Sequence, residues 1–391
     1  MTPRTAVGEW FLVSDLHLDG RPSPRDVDRA LPAFLETVVR GRDVARAGRG
    51  RRALVLLGDT FELAGPAPLA PTRVADRLTA LARCHDRVFS ALAACVRDGV
   101  ELHVVGGNHD LEIVRPDASA LLNRLLGLEP ERPGTRFWPW LLHEPGVLYA
   151  EHGSQHHALN RSPAVLVARE AARTDGPLPP PPLAAASAGT DWCRPADPRA
   201  VRVARAFRAA SRQERYAAGP AYRQLLDREA VDLRLPPQAA ADLAALSRFR
   251  TVPAVAGAAG RVLARRTGRG RPGSHLVSRA AEAHRVLERH RTPAAAYVFG
   301  HTHRAEQRPL PGSRVPTAYL NTGTWCAAVR GDGPDRADPG LFPFVRVTAT
   351  GDGVRAGLHF WSPDDRGVLA DDAEYVLPAA RSRVSPGRGP S

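Results

Sequence analysis

Five short segments of the chain carry aspartate, asparagine and histidine in patterns that suit divalent metal binding. Each segment follows a short apolar run that predicts a buried strand, and most of them contain glycine or a turn. Polar groups at the carboxyl ends of strands are typical of sites in open α/β sheets. Imidazole, carboxylate and amide donors together suit hard-to-borderline divalent cations. The five segments are 14–17 (SDLH), 58–59 (GD), 107–110 (GNHD), 151–153 (EHG) and 300–303 (GHTH).

The spacing within two of these segments favours convergence on one point. Asp15 and His17 are two residues apart, as are His301 and His303. On an extended backbone such pairs point to the same side. Gly58 allows a tight turn and a close ligand approach, so that Asp59 is presented at the same sheet edge as Asp15.

The apolar pattern predicts the elements that must position these residues. Strands are expected over 10–13, 53–57, 102–105, 147–150, 295–299 and 317–320, with a closing hairpin of 344–348 and 354–361. Helices are expected over 26–40, 73–97 and 117–127. The long second helix contains Cys84 and Cys95, which we expect in the core because unpaired thiols are usually buried. The overall pattern predicts an α/β fold.

The net charge of +13 is concentrated in one part of the 391-residue chain. Residues 194–291 contain 21 Arg and 8 acidic residues, whereas the remainder has equal numbers of both. This segment is therefore a candidate surface for phosphorylated substrate, anionic lipid or nucleic acid. Solvated helix faces explain the same charge equally well. The chain has no Lys, which a GC-rich genome explains better than function does.

Residues 161–291 interrupt the α/β pattern and predict a basic helical insertion that acts as a cap or lid. Amphipathic patterns indicate helices over 198–218, 220–231, 237–248 and 274–290. A poorly ordered insertion without a binding role is the alternative. The core is then 1–160 with 292–378, and 379–391 is expected to be a flexible tail.

Targeting and redox features favour a cytoplasmic protein. The first residues lack the apolar core of a signal peptide, and no run of about 18 apolar residues is present to span a membrane. The four Cys form no CxxC pair, and unpaired thiols are typical of a reducing compartment.

Read in order, the five segments give D-x-H, GD, GNHD, H and GH-x-H. This series resembles the calcineurin-like metallophosphoesterase family over residues 9–160 and 292–330. The GDTFE segment, 58–62, also looks like the UDP-2,3-diacylglucosamine pyrophosphatase branch. The resemblance implies a four-layer αββα sandwich, here with the large helical insertion, and two divalent metal ions (Mn, Fe or Zn).

Carried over by position, the resemblance implies two metal sites that share one carboxylate. Asp15, His17 and His303 would hold the first metal. The second would be held by Asn108, His152 and His301, and Asp59 would bridge both.

The same resemblance implies hydrolysis of a phosphorylated anionic substrate by a metal-bridging hydroxide. His109 would hydrogen-bond the phosphate or donate a proton to the leaving oxygen, and Asp110 would orient its ring. Arg304 is a weaker candidate for substrate contact. Gln155 and Asn160 are candidates to support the His152 loop.

The sequence is compatible with three classes of function. The leading one is a dinuclear metal-dependent hydrolase of a phosphodiester or pyrophosphate. A phosphomonoesterase or nuclease of the same fold is the second, since the metal-binding residues serve each reaction. A non-catalytic scaffold with this fold is the third, although a broken ligand set would be expected of it.

Overall fold

The computed structural model describes residues 7–20, 27–41, 51–63, 71–128, 135–156, 235–246, 274–326, 340–365, 367–370 and 374–378. Within these residues the chain is a mixed α/β fold with two β-sheets. The strands are β1 (Val7–Val13), β2 (Arg51–Leu57), β3 (Glu101–Val105), β4 (Thr135–Trp138), β5 (Leu141–Glu144), β6 (Leu148–Glu151), β7 (Ala296–Phe299), β8 (Ala305–Pro309), β9 (Ala318–Thr322), β10 (Phe342–Ala349), β11 (Gly353–Ser362), β12 (Gly367–Ala370) and β13 (Tyr375–Pro378).

Helices alternate with the strands in the first third of the chain. The α-helices are α1 (Val27–Phe34), α2 (Pro71–Cys84), α3 (Asp86–Arg97), α4 (Pro116–Leu125), α5 (Pro237–Leu246) and α6 (Ser274–Arg289). A π-helical turn over Leu35–Arg40 extends α1. Short 3-10 helices follow two of the candidate segments, at Leu111–Val114 and Ser154–His156.

The first sheet has eight strands, and its parallel half presents three candidate segments. Its order is β12-β11-β10-β1-β2-β3-β4, with β13 also paired to β11. Strands β1 to β4 are parallel, whereas β10 to β13 add an antiparallel edge. Segments 14–17, 58–59 and 107–110 therefore follow three neighbouring parallel strands at one end of the sheet.

The second sheet has five strands in the order β5-β6-β7-β9-β8 and presents the other two segments. Its three central strands are parallel, and β5 and β8 are antiparallel edges. Segments 151–153 and 300–303 follow the neighbouring strands β6 and β7. Strand β9 packs against β10 and β11 of the first sheet. The four-layer order of the two sheets and their helices stays a prediction.

The parallel strands are rich in apolar residues because both of their faces are covered. Every residue of β3, β6, β7 and β9 is buried, as are the last five of β2. Aromatic side chains fill the space around the sheets: Phe34 of α1 contacts the rings of Trp325, Phe344 and Trp361. This rigid core fixes the strand ends that carry the candidate site.

The prediction of one helix over 73–97 was wrong, because two helices meet at His85. His85 has φ −114° and ψ 42°, outside the helical region. Its buried ring lies 2.7 Å from Asp28 Oδ1 and 2.6 Å from the Asp19 carbonyl oxygen, through its two nitrogens. These contacts fix the break between α2 and α3. Cys95 is buried as predicted, but Cys84 is exposed because it ends α2 at the surface.

Two of the four helices predicted in the insertion lie among the described residues. They are α5 and α6, which pack against each other, and Asp242 of α5 lies 3.0 Å from His290 Nε2 beyond the end of α6. The predicted helices over 198–218 and 220–231, and the tail over 379–391, lie outside the described residues. The insertion boundaries and its anionic partners stay predictions. None of the helices in the described ranges is long and apolar enough to cross a membrane.

Candidate metal centre

The five candidate segments meet where the carboxyl ends of the two parallel strand sets face each other. Six of the seven predicted metal ligands fall into two groups whose donor atoms lie within 4.8 Å of one another. The first group is Asp15, His17 and His303, and the second is Asp59, His152 and His301. The seventh predicted ligand, Asn108, lines the same cavity as Asp59 and His301. The structure therefore brings together all seven predicted residues.

Most of the unusual backbone geometry in the described residues is concentrated at these ligands. Six non-glycine residues have positive φ, between 47° and 68°. Five of them are predicted metal ligands, namely Asp15, His17, Asp59, His301 and His303. A left-handed conformation costs a non-glycine residue about 1–3 kcal/mol, and such strain clusters at functional sites. The backbone is therefore strained at the positions that aim these side chains.

Glycines are required where the segments approach each other. A Cβ atom added at Gly107 would lie 2.2 Å from Asp59 Oδ1 and 2.4 Å from the Asp59 nitrogen. At Gly300 it would lie 2.5 Å from Ser14 Oγ. These distances are shorter than any side chain tolerates, so the GNHD and GHTH segments pack directly on the loops that follow β2 and β1.

Hydrogen bonds from backbone N–H groups join the segments across both sheets. The nitrogen of His17 donates to the Asp59 carbonyl at 3.0 Å. His301 donates its backbone N–H to Asp15 Oδ2 at 3.0 Å, and His109 donates to Asp59 Oδ1 at 2.8 Å. The two carboxylates are thereby oriented by the neighbouring segments.

The first ligand group brings two imidazole nitrogens next to a carboxylate oxygen. Nε2 of His17 lies 3.2 Å from Nε2 of His303, which is 3.1 Å from Asp15 Oδ1. Asp15 Oδ1 is fully buried and has no hydrogen-bond partner among the described residues. Such an unsatisfied buried carboxylate oxygen facing two imidazole nitrogens fits a divalent cation well.

The second group shows the same pattern around His152. Nδ1 of this ring lies 2.9 Å from the Leu57 carbonyl, so that Nε2 is the atom available for a metal. Nε2 lies 3.1 Å from Asp59 Oδ2 but has no hydrogen bond within the described part of the chain. Asn108 Oδ1 is also buried there without a hydrogen-bond donor. These donors fit a second cation that shares Asp59.

The electrostatics of the site keep its carboxylates ionised. Burial raises the pKa of Asp15, but the charges of His152 and His303 outweigh burial and lower it to about 2. Burial likewise opposes ionisation of Asp59, yet the charges of His152 and His109 hold its pKa well below the ordinary value. Buried anions that depend on neighbouring positive charge are typical of cation sites.

Glu62 belongs to the site, although the sequence pattern predicts no role for it. Its Oε1 lies 2.5 Å from His17 Nδ1, and its Oε2 lies 2.9 Å from His109 Nδ1. Burial raises the pKa of Glu62, but hydrogen bonds with His109 and His17 and the charges of these rings lower it to about 2. The sequence signal for Glu62 was its place in the GDTFE segment, three residues after Asp59. The contact with the two rings is visible only in three dimensions.

Asp110 does not carry the hydrogen bond to the His109 ring that we predicted for it, since Glu62 occupies Nδ1. The Asp110 carboxylate is fully buried and accepts hydrogen bonds from the backbone nitrogens of Gly107, Thr60 and Asp59, at 2.7 to 3.2 Å. Burial and the Asp59 charge raise its pKa to about 6. Asp110 therefore joins two segments of the site instead of orienting the imidazole.

His109 lies beside the ligand groups, and 39% of its side chain is accessible, compared with 12% for His17 and 17% for His303. Burial lowers the pKa of His109, but the Asp59 charge and the Glu62 hydrogen bond raise it to about 9. The ring is therefore protonated at neutral pH in this structure. A third group of donor atoms within 4.8 Å joins it to His17 and Asp59.

The loop after β6 is held by a buried carboxylate. Glu151 accepts a hydrogen bond from Trp140 Nε1 at 2.6 Å and lies 2.7 Å from His156 Nε2. Gln155 is buried in the same loop, whereas Asn160 lies outside the described residues. Arg304 is half-buried and is not among the described residues that line the cavity.

A cavity of about 820 Å³ opens onto the candidate ligands. Its walls include the predicted ligands His17, Asp59, Asn108, His301 and His303, together with Glu62 and His109. Three residues of α2 also line the cavity, namely Arg77, Ala80 and Leu81. The candidate metal ligands therefore border a cavity among the described residues.

The chain has only weak similarity to the known proteins named below. No protein-family model and no curated protein matches the chain. Vps29 from Chaetomium thermophilum aligns with a TM-score of 0.33 and 10% identity, over 95% of this chain and 100% of Vps29. The phosphopantetheinyl hydrolase PptH from Mycobacterium tuberculosis aligns with a TM-score of 0.27 and 13% identity, over 81% of this chain and 89% of PptH. At these TM-scores neither likeness carries an argument.

Proposed function

We propose that the chain is a dinuclear metal-dependent hydrolase of phosphate esters, acting on a phosphodiester or a pyrophosphate. The observation that carries this proposal is the cluster of strained ligands. Donor residues from five strand ends converge, and five of them adopt a left-handed backbone. Packing alone gives no reason to concentrate that strain on Asp and His side chains.

Each metal position has its own residues in this proposal. Asp15, His17 and His303 hold one cation, and Asn108, His152 and His301 hold the other, while Asp59 lies between the two groups. Mixed imidazole, carboxylate and amide ligation favours Mn, Fe or Zn. When bound, two cations neutralise charge on the phosphoryl oxygens and lower the pKa of water.

The remaining residues act on the substrate or on the ligands. His109 is the proton donor, and Nε2 is the ring atom for the substrate because Nδ1 is held by Glu62. Glu62 orients His109 and His17 together. Asp110 fixes the GNHD segment against the loop after β2 through its contacts with backbone nitrogens.

Hydrolysis of two chromogenic esters by the metal-loaded full chain tests the proposal. We expect turnover of bis-p-nitrophenyl phosphate with added Mn, and slower turnover of p-nitrophenyl phosphate. A reversed preference would replace the diesterase assignment by a monoesterase. A folded protein that hydrolyses neither ester with Mn, Fe or Zn would contradict the hydrolase, and the scaffold would then be favoured.

A further inference from the structure

The segment that ends and follows β9 supplies none of the proposed ligands, yet it contacts the first ligand group. Thr322 ends β9 in the second sheet, whereas Asp15 follows β1 in the first sheet. Trp325 donates its backbone N–H to the Asp15 carbonyl at 3.3 Å, and Thr324 Oγ1 donates to the same oxygen at 2.9 Å. The backbone of this proposed ligand is therefore held by a segment of the other sheet.

The side chain of Asp15 is held by two buried hydroxyl groups. Ser14 Oγ donates a hydrogen bond to Asp15 Oδ2, and it lies 2.6 Å from Thr322 Oγ1. Ser14, Asp15 and Thr322 are all fully buried. Buried polar groups need partners within the protein, so these contacts are not interchangeable with contacts to solvent.

The supply of protons gives these hydrogen bonds a direction. A hydroxyl group has one proton, and a carboxylate that binds a cation is ionised and can only accept. Ser14 therefore donates to Asp15 Oδ2, and Thr322 donates to Ser14. The carbonyl oxygens of Phe299 and Gly323 are more distant acceptors for the two hydroxyls, at 3.1 and 3.3 Å. The chain of hydrogen bonds ends on a charge, which makes it stronger than one between neutral groups.

The two oxygens of the Asp15 carboxylate consequently have different surroundings. Oδ2 accepts from Ser14 and also from the His301 backbone N–H, at 3.0 Å. Oδ1 has no hydrogen-bond partner among the described residues, and it lies 3.1 Å from His303 Nε2. The hydrogen bonds to Oδ2 leave Oδ1 as the oxygen that faces the other proposed ligands.

We infer that Ser14 and Thr322 are positioning residues for the first metal site, which hold Asp15 Oδ2 so that Oδ1 is presented to the cation. This inference rests on the proposed function, because it takes Asp15 as a metal ligand. Thr322 acts only through Ser14, and Ser14 acts through Asp15. Neither hydroxyl residue is among those of the described chain that line the cavity.

Calorimetric titration of the metal-free full chain with Mn tests this inference. Thr322→Val keeps the branched shape but removes the hydroxyl that donates to Ser14. We expect the affinity of one of the two Mn ions to fall about tenfold to a hundredfold, as for other groups behind metal ligands, while the second ion binds as in the wild type. Thr322→Ser keeps the hydroxyl and should bind both ions normally.

A second variant tests the order of the two residues. Ser14→Ala removes the donor to Oδ2, so it should lower the affinity of the same Mn ion at least as much as Thr322→Val does. Adding Thr322→Val to Ser14→Ala should then cause little further loss, because residues in one hydrogen-bond chain are not additive. Thr292→Val is the matched control, since Thr292 is buried and its Oγ1 has no hydrogen-bond partner in the described part of the chain.

The outcomes separate this inference from the proposed function. Two Mn ions bound normally by Thr322→Val, or an equal loss in Thr322→Ser or Thr292→Val, would overturn the positioning role and leave the metal centre standing. An equal loss for both ions in Thr322→Val would also overturn it, because it would indicate a general structural role. If Ser14→Ala does not fold, the comparison of Thr322→Val with Thr322→Ser decides. Folded wild-type protein that binds no Mn would overturn the metal centre and this inference together.

Discussion

The carboxylate of Glu62 joins His17 and His109 through their Nδ1 atoms, at 2.5 and 2.9 Å. One of these rings belongs to the first ligand group, and the other is the proposed proton donor. A single carboxylate thus contacts both a proposed metal ligand and the proposed acid catalyst. Hydrogen bonds of this kind fix the tautomer of a ligating histidine and tune its basicity.

Replacing Glu62 by Gln should therefore weaken both functions of the site. We expect metal affinity and turnover of bis-p-nitrophenyl phosphate to fall by about tenfold to a hundredfold, since residues behind metal ligands have effects of this size. Titration of the metal-free protein with Mn measures the affinity. Glu36→Gln, at an exposed position in the π-helical turn, is the matched control. Normal turnover in Glu62→Gln would show that the contact has no role in the reaction.

His109→Ala should separate catalysis from metal binding. We expect turnover to fall by about a hundredfold to ten-thousandfold, the usual contribution of a general acid, while metal content stays near that of the wild type. Elemental analysis and ester hydrolysis on the same preparation measure both. His275→Ala, at an exposed position on α6, is the control. Loss of metal in His109→Ala would instead make this residue a ligand, with His17 and Asp59 as its partners.

Gly107→Ala should disrupt the site by displacing the backbone of the GNHD segment. The added Cβ would lie 2.2 Å from Asp59 Oδ1, so the GNHD segment must shift away from the shared carboxylate. We expect metal affinity to fall at least about tenfold and the free energy of unfolding to fall by about 1–3 kcal/mol, as in other overpacked sites. Gly351→Ala is the control, because nothing lies within 4 Å of its Cβ position. Equal metal affinity in both variants would contradict the close approach.

Stability should depend on pH through Glu101, at the end of β3 away from the site. Burial raises its pKa, but the neighbouring His103 ring and the charges of Arg136 and Arg51 lower it to about 2. The folded pKa therefore lies below the ordinary value of 4.5, so the stabilisation is complete above about pH 4.5 and is lost as the pH falls towards 2.

Glu101→Gln checks this dependence by denaturant unfolding across the pH range. At pH 7 the variant should be less stable by about 2 kcal/mol, which is below the full value of the shift because Arg51 and Arg136 are about one third exposed. The difference from the wild type should shrink between pH 4.5 and 2. A difference that stays constant over this range would assign the effect to packing.

The sequence predicted those parts of the molecule that depend on local patterns. Continuous apolar runs marked β1, β2 and β3, because strands covered on both faces need them. Glycine and polar residues directly after the runs marked the site. The short strands β4, β5 and β8 were not predicted. A segment of four or five residues of mixed polarity has too weak an apolar periodicity to indicate a strand.

The rest depends on contacts between distant parts of the chain. The break at His85 comes from its contacts with Asp28 and Asp19, about 60 residues away in sequence. Glu62 was not assigned a role because its two histidine partners come from different strands. Asp110 was expected to contact the adjacent His109 ring, but its carboxylate turns towards the backbone after β2. Residues that are adjacent in sequence at a strand end can therefore contact different parts of the molecule.

Metal stoichiometry of the wild type and of Asp59→Asn tests the central claim most directly. Asp59 is the residue proposed to bridge both cations, so its amide variant should lose metal while exposed Asp76→Asn does not. We predict about two Mn per chain in the wild type and Asp76→Asn, and at most about one in Asp59→Asn, because a shared carboxylate supports both sites. Folded wild-type protein that takes up no Mn, Fe or Zn would contradict the account.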